Sequence, residues 1–237
     1  YEYANGDLYK IIWQPDQTTV WQKNDENAKG QVLTTTLGNG VQGTYAYNTI
    51  GVSTSIKAAK GTASLLNIGY QNIDARGNIK NRNEQTTSQS ENFTYDSMNR
   101  LTTGVEYGEN GNILFKADAG TYQYEDSHPH AISSLSPTSN DVLPKLDLSV
   151  TYNSVRLPVQ LSEGNKVYTL TYNGENSRVK SQFVQNGSTV FTKYYCGPYE
   201  EILKGGTTRK NYYIYGGGQI VAVYTEGASD AGMYYFH

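Results

Sequence analysis

Phe93-Thr94-Tyr95-Asp96-Ser97-Met98-Asn99-Arg100-Leu101 joins a strand-like run ending in tyrosine to a short polar turn and an Arg-Leu pair. The same order recurs along the chain, with a tyrosine before each turn and a glycine or an arginine within or after it. We assign structural roles to the motif residues of each copy and to the tyrosines that continue the spacing. They are Tyr70, Asp74 and Gly77; Tyr95, Asp96 and Arg100; Tyr107 and Gly111; Tyr152 and Arg156; Tyr172, Gly174 and Arg178; and Tyr195, Tyr215 and Tyr235. The steps between tyrosines from Tyr152 to Tyr235 are 20, 23, 20 and 20 residues. Such a period indicates a repeat architecture in which each unit is one supersecondary element.

Turn residues and alternation predict that each unit is a β-hairpin. Asn-Gly pairs favour the tight turn in which both residues have positive φ. In residues 166–172, Tyr168, Leu170 and Tyr172 share one face, which is the period of a strand. In residues 219–224 both faces are apolar, so we expect a strand covered on both sides. The sequence therefore predicts an all-β fold of stacked antiparallel hairpins. The five Asn-Gly pairs are Asn5-Gly6, Asn39-Gly40, Asn110-Gly111, Asn173-Gly174 and Asn186-Gly187.

The chain reads as one repeat unit spanning residues 1–237. A long loop is expected near residues 133–146, because Pro137 and Pro144 stand there among small polar residues. This loop would separate a less regular N-terminal part from a regular C-terminal part. We expect no domain boundary at the loop, since the same repeat resumes after it.

Composition narrows the range of partners. Hydrophobic residues make up 37% of the 237 residues, and this class includes 22 tyrosines, so tyrosine must supply much of the buried surface. The net charge is −3 and the 19 basic residues are scattered, which argues against a nucleic-acid partner. No apolar run approaches the roughly 20 residues of a membrane helix. Because the chain begins with Tyr1, we expect a fragment or a processed product.

The residues that could carry chemistry favour structural roles. His128 and His130 have no third ligand nearby in the sequence, so we predict no metal site. Cys196 reads as a small buried side chain at a strand end rather than as a nucleophile. The neighbours Glu200 and Glu201 would point to opposite faces of a strand, unlike a pair of glycosidase carboxylates. Residues 216–218 read as a glycine turn. We therefore predict no catalytic residue and no cofactor.

The tyrosine and the acidic or amide residue that follows it are expected to be structural. In this interpretation the tyrosine packs on the next hairpin and the Asp or Asn side chain bonds to the backbone of the turn. Arg100, Arg156 and Arg178 follow their turns and are expected to stack on tyrosine faces of adjacent repeats.

These motifs resemble the Rhs/YD-repeat family, which includes toxin-complex shell subunits and teneurins. Residues 93–101 are similar to its Tyr-Asp consensus, and residues 74–79 and 107–113 to its Gly-Asn-Ile variant. Residues 172–180 resemble the late Rhs units, and residues 234–237 resemble the start of the Rhs-associated core. The likeness covers most of the chain, weakly before Tyr70.

The resemblance implies a long sheet that spirals into a hollow shell, which in bacterial members encloses a variable C-terminal toxin. It also implies a secreted or cell-surface protein. The self-cleavage motif of the family is absent, so no autoproteolytic residue is assigned. We expect a non-catalytic wall segment whose open strand edges pair with flanking repeats, with the C-terminal region of a longer chain or with another copy. The alternatives are a glycan- or protein-binding module that uses exposed tyrosines and, last, a hydrolase.

Overall fold

The computed structural model describes residues 1–126, 128–138, 148–227 and 229–236. Strands dominate the described residues, which include no helix. The strands form three antiparallel sheets in which each strand lies beside its neighbours in the sequence. The predicted all-β stack of antiparallel hairpins is therefore confirmed, with the strands divided among three sheets.

The strand bounds follow the repeat along the chain. The first sheet contains β1 (Glu2–Ala4), β2 (Asp7–Trp13), β3 (Thr18–Glu26), β4 (Val32–Leu37), β5 (Gln42–Tyr47), β6 (Ser53–Lys60), β7 (Ala63–Gln71), β8 (Asn81–Glu84) and β9 (Gln89–Asn92). The second contains β10 (Val105–Tyr107), β11 (Ile113–Lys116), β12 (Gly120–Glu125) and β13 (His128–Pro137). The third contains β14 (Leu148–Tyr152), β15 (Pro158–Glu163), β16 (Lys166–Tyr172), β17 (Arg178–Gln185), β18 (Ser188–Cys196), β19 (Tyr199–Lys204), β20 (Thr207–Gly216), β21 (Gln219–Glu226) and β22 (Gly232–Tyr235).

Backbone contacts divide the chain into two compact units. The first unit consists of Tyr1–Asn67 together with Leu148–His237, and the second of Ile68–Asp147. The boundary between Asn67 and Ile68 falls within β7.

The prediction of a loop near residues 133–146 is wrong for the first part of that range. Strand β13 runs to Pro137 and pairs with β12 as far as Gly120. Proline is tolerated there because β13 is an edge strand of its sheet and Pro137 is its last residue. Residues 139–146 lie outside the described part of the chain.

The Asn-Gly pairs divide into two kinds of turn. Asn5-Gly6 and Asn186-Gly187 have positive φ at both residues, as predicted for a tight hairpin turn. The expectation is wrong for the other three pairs. In two of these pairs only the glycine, Gly40 or Gly111, has a left-handed backbone. In the Asn173-Gly174 pair neither residue has one. The left-handed residue of that turn is Asn176, with a φ of 62°.

The core of the first unit lies where the first and third sheets pack face to face. Ile11, Trp21 and Leu37 of β2–β4 meet Ile214 and Ala222 of β20 and β21. Trp21 is 2% exposed and Ala222 is 0% exposed. In β21 the prediction of burial on both faces is confirmed for Val221, Ala222 and Val223, whereas Gln219 and Ile220 at the start of the strand are exposed. The glycine turn at residues 216–218 joins β21 to β20. Sequence periodicity does not reveal this packing between strands distant in the chain.

Candidate functional site: the tyrosine turns

A recurring five-residue turn organises the ends of many hairpins. In the turn that begins at Asp96, carboxylate oxygen Oδ1 accepts the backbone N–H groups of Met98 and Arg100, each at 2.9 Å. The backbone N–H of Asp96 also donates to the carbonyl of Arg100, and that of Asn99 donates to the carbonyl of Asp96. One side chain thus satisfies two backbone donors of the turn. The turns that begin at Asn27, Asp74, Asn153 and Asn173 have the same two side-chain bonds, at 2.9–3.1 Å.

The fourth residue of each turn has a left-handed backbone. This position is held by Gly77 after Asp74 and by Asn99 after Asp96, with φ values of 88° and 63°. Glycine and asparagine adopt this conformation at low cost. Sequence analysis selected Gly77 as a motif residue and did not select Asn99.

Sequence analysis missed two turns near the N-terminus. They begin at Asn27 and Asn48, and their left-handed residues are Gly30 and Gly51. In the Asn48 turn, the side chain accepts the N–H of Val52 at 2.9 Å. The Asn-x-x-Gly spacing of both turns is visible in the sequence, and Tyr47 directly precedes Asn48, so this spacing would have identified both turns.

The turn that begins at Gly108 keeps the backbone bonds without an acidic or amide side chain at its first position. Asn112 is the last residue of this turn and is 9% exposed. Its side-chain amide donates to the carbonyl of Pro129 at 2.6 Å, and its Oδ1 lies 2.8 Å from Nδ1 of His130. His130 is therefore part of a contact between a turn and β13. The side chain of His128, and His237, fall outside the described residues.

Tyrosine hydroxyls fasten successive turns to one another. Tyr95, just before the Asp96 turn, donates its hydroxyl hydrogen to the carbonyl of Ile79 at 2.8 Å. Tyr172 donates to the carbonyl of Pro158 at 2.9 Å. In both pairs the acceptor carbonyl belongs to the residue that lies five positions after the start of the preceding turn. Tyr124, which sequence analysis did not select, donates to Ile113 in the same relation to the Gly108 turn. We call these bonds the tyrosine staples.

Other side chains join neighbouring turns directly. Arg76 donates from Nη1 to the carbonyl of Ser97 at 3.3 Å and to Oδ1 of Asn99 at 3.2 Å. Asn78 donates to Oδ1 of Asn99 at 3.0 Å. In the first unit, Lys29 donates to the carbonyl of Thr49 at 2.7 Å. Consecutive turns are thus connected across the sequence interval of one repeat.

The three arginines occupy different positions. The guanidinium carbon of Arg100 lies 4.3 Å from the ring centroid of Tyr107, while its Nε donates to Asp96 at 2.6 Å. The guanidinium carbon of Arg178 lies 4.6 Å from the centroid of Tyr195. Arg156 is itself the left-handed residue of its turn, with a φ of 63°, and is exposed. Sequence analysis therefore expected one role for three arginines that occupy different positions relative to their turns.

The remaining tyrosine anchors vary in burial. Tyr70 lies opposite Arg82 in the β7–β8 pair. Tyr152 and Tyr215 are 61% and 47% exposed. Tyr235 packs at the edge of the first unit's core. Tyr195 bonds to the hydroxyl of Ser181 at 2.9 Å.

The candidate reactive residues are distributed along β18 and β19. Cys196 is exposed at the end of β18, so the expectation that it is buried is wrong. The turn at Gly197-Pro198 leaves that strand end open to solvent. Glu200 pairs with Lys193 at 3.1 Å, whereas Glu201 accepts the hydroxyl of Tyr199 at 2.7 Å. The bond to Glu201 is the main cause that raises the pKa of Tyr199 to about 12.

Removal of one staple should cost a measurable part of the stability. Tyr95→Phe deletes the donor and leaves the carbonyl of Ile79 without it, so we expect a loss of about 0.5–1.5 kcal/mol in the free energy of unfolding. Tyr152→Phe is the matched control, because Tyr152 is 61% exposed. Urea unfolding of both variants measures the difference. Equal stability of Tyr95→Phe and the parent would contradict the role of the staple.

The carboxylates at the start of two turns predict that the free energy of unfolding depends on pH. Hydrogen bonds from the turn, foremost the backbone N–H of Arg100, lower the pKa of Asp96. The N–H of Asn78 does the same for the pKa of Asp74. A lowered pKa in the folded state stabilises the fold above the unfolded value near 3.9, and the contribution is lost as the pH falls below it.

We expect the double variant Asp74→Asn with Asp96→Asn to lose less stability than the parent between pH 5 and about pH 2.5. Asn153 begins a turn of the same geometry without a charge, so Asn153→Asp should add acid sensitivity. Urea midpoints at the two pH values give the comparison. An equal loss of stability in the parent and the double variant over this pH range would refute the role assigned to the two carboxylates.

Comparisons with known proteins place the fold. No protein-family model and no curated protein matches the chain. Many solved structures match the chain; three of them do so at 13–14% identity, and the chain spans 14% of each of these. The crystal structure of TcdB2-TccC3 without its hypervariable C-terminal region matches 93% of the chain with a TM-score of 0.71. TcdB2-TccC3-TEV matches 93% at 0.67, and the Tc holotoxin pore of Photorhabdus luminescens matches 90% at 0.66.

The chain therefore has the fold of a segment of these Tc toxin structures. The resemblance to Rhs/YD repeats is confirmed at the level of the fold. Helices that are long and apolar enough to span a membrane do not occur in the described part of the chain.

Proposed function

We propose that the chain is a non-catalytic wall segment of an Rhs-type β-shell that encapsulates or displays a C-terminal domain of a longer polypeptide, such as a toxin. The observation that carries this proposal is the set of tyrosine staples and side-chain bonds between consecutive turns. These bonds extend from one hairpin to the next, which is what a continuous wall requires. They use the groups that an enzyme would need free, since Asp74 and Asp96 are engaged with backbone N–H groups.

The fold comparison supports the same function. One of the similar structures is a Tc holotoxin pore, and another is TcdB2-TccC3 without its hypervariable C-terminal region. The chain spans a small fraction of their length, so a wall segment would act together with flanking repeats. A secreted location follows from this proposal.

Limited proteolysis of the polypeptide that contains this segment tests the wall function. The region that follows the repeats should resist cleavage in the parent. A variant with Tyr95→Phe, Tyr172→Phe and Tyr124→Phe should expose it, while the exposed-site control Tyr152→Phe should not. Equally fast cleavage of that region in the parent and the triple variant would refute encapsulation.

A row of aromatic rings favours a binding module as the second candidate. The ring centroids of Tyr199 and Tyr212 are 5.1 Å apart, and those of Tyr212 and Tyr224 are 6.2 Å apart. Tyr212 is 36% exposed. Partly exposed aromatic rings offer rigid, amphipathic contact area for a ligand. Calorimetric titration with chitohexaose should show binding that Tyr212→Ala abolishes, and absence of heat in the parent would remove this candidate.

A further inference from the structure

Asn186 and Gly187 form the two-residue turn between β17 and β18. Gln185 and Ser188 pair across this turn, and both turn residues are exposed and have a left-handed backbone. A backbone nitrogen can attack the side-chain amide of a preceding asparagine, and glycine at the second position leaves that approach open because it has no side chain. The conformation of the turn then decides whether the two groups react.

The backbone nitrogen of Gly187 is accessible. A Cβ at this glycine would meet nothing within 4 Å. Among the described residues, no backbone carbonyl accepts its N–H. An amide nitrogen must give up its proton to a base from solvent before it can attack a carbonyl carbon, so this exposed N–H is in the state that the reaction requires.

The Asn39-Gly40 pair is held differently, although both of its residues are exposed as well. The N–H of Gly40 donates to the carbonyl of Leu37 at 2.9 Å. Oδ1 of Asn39 accepts the N–H of Val41 at 3.2 Å. Attack by the nitrogen of Gly40 would have to break the bond to Leu37, whereas the nitrogen of Gly187 has no such bond to break.

A second amide faces the group that Gly187 would attack. Nδ2 of Asn165, in the turn between β15 and β16, donates to Oδ1 of Asn186. The backbone N–H of Asn186 donates to the carbonyl of Asn165 at 3.0 Å, which holds the two turns together. When a nitrogen adds to the amide carbon, Oδ1 gains negative charge, and a donor that already points at this oxygen stabilises that charge.

We propose that Asn186-Gly187 is a site of spontaneous backbone modification through a cyclic imide, with Asn165 as the donor to the developing oxyanion. The nitrogen of Gly187 loses its proton and bonds to Cγ of Asn186. The bond from Cγ to Nδ2 breaks, and Nδ2 leaves as ammonia with a proton from solvent. Water then opens the ring. Hydrolysis at Cγ gives aspartate, and hydrolysis at the main-chain carbonyl gives isoaspartate.

Either product changes the turn. Aspartate places a negative charge beside the side chain of Asn165. Isoaspartate routes the main chain through the side-chain carbon atoms and so lengthens a turn that has only two residues between Gln185 and Ser188. The β17–β18 hairpin is weakened at this end. This inference does not depend on the proposed wall function.

Ageing of the intact chain in mildly alkaline buffer tests the site. Peptide mass spectrometry measures conversion at each Asn-Gly pair over time, and labelling by an isoaspartate methyltransferase gives a second readout. We expect Asn186 to convert at least about fivefold faster than Asn39, the factor for one hydrogen bond that need not break. In urea the two pairs should convert at similar rates, because the unfolded chain has no turn that protects Asn39.

Two variants separate the parts of the proposal. Asn186→Gln keeps an amide but requires a larger ring, so its product should be absent over the same period. Asn165→Ala should slow the conversion of Asn186 by about two- to tenfold. Conversion of Asn186 no faster than that of Asn39 in the folded chain would overturn the site, and so would a difference that persists in urea. An unchanged or faster rate in Asn165→Ala would overturn the role of Asn165.

Discussion

Trp21→Ala should destabilise the first unit by about 3–5 kcal/mol, the cost typical of removing a buried tryptophan. Trp21 is 2% exposed and joins strands of the first sheet to β20 and β21. Its ring also lies so near Gly216 that a Cβ at that glycine would be 2.8 Å from ring atom Cδ2. The cavity left by alanine would therefore open at the place where the two sheets meet.

Urea unfolding followed by tyrosine and tryptophan fluorescence measures this loss. Tyr3→Ala is a suitable control, because Tyr3 is 63% exposed and a surface change of this kind usually stays within about 0.5 kcal/mol. A loss below about 1 kcal/mol for Trp21→Ala would show that the sheets do not pack as described.

Gly120→Ala should have the largest effect in the second unit. Gly120 has a φ of 142°, and a Cβ there would lie 2.0 Å from the carbonyl oxygen of Ser136 and 2.8 Å from Cα of Pro137. Both are backbone atoms of β13, so the end of the β12–β13 pair must separate. We expect a loss of about 2–4 kcal/mol in the free energy of unfolding.

Gly69→Ala is the matched control in the same unit. Gly69 does not have a positive φ, and a Cβ there would meet nothing within 4 Å. Its stability should stay close to that of the parent or rise slightly. Urea unfolding together with amide exchange of β12 compares the two variants. Similar effects of the two substitutions would contradict the close approach at Gly120.

The sequence predicted the local structure better than the packing. Tyrosine spacing and strand alternation predicted hairpins because both are local features, read within about ten residues. The same reasoning misplaced the left-handed residue at Gly174, since the side chain of Asn173 caps a five-residue turn that places Asn176 there instead. Asn-Gly predicts a tight turn only where no five-residue turn forms in its place, as it does around Gly40 and Gly111 as well.

Contacts between distant strands could not be read from the chain. The tyrosine staples follow a regular offset, yet the hydroxyl acceptors are backbone carbonyls, which every residue type offers. The core between β3 and β21 joins residues about 200 positions apart, and no periodicity encodes that pairing. Cys196 illustrates the same limit, because its exposure depends on where a strand ends.

A cryo-electron microscopy structure of the longer polypeptide that contains this chain tests the central claim most directly. The account predicts that residues 1–237 form part of a continuous wall of hairpins, with the Tyr95 and Tyr172 staples intact and the C-terminal domain enclosed or displayed by that wall. The account would be contradicted if these residues formed a separate domain whose hairpins do not continue into flanking repeats.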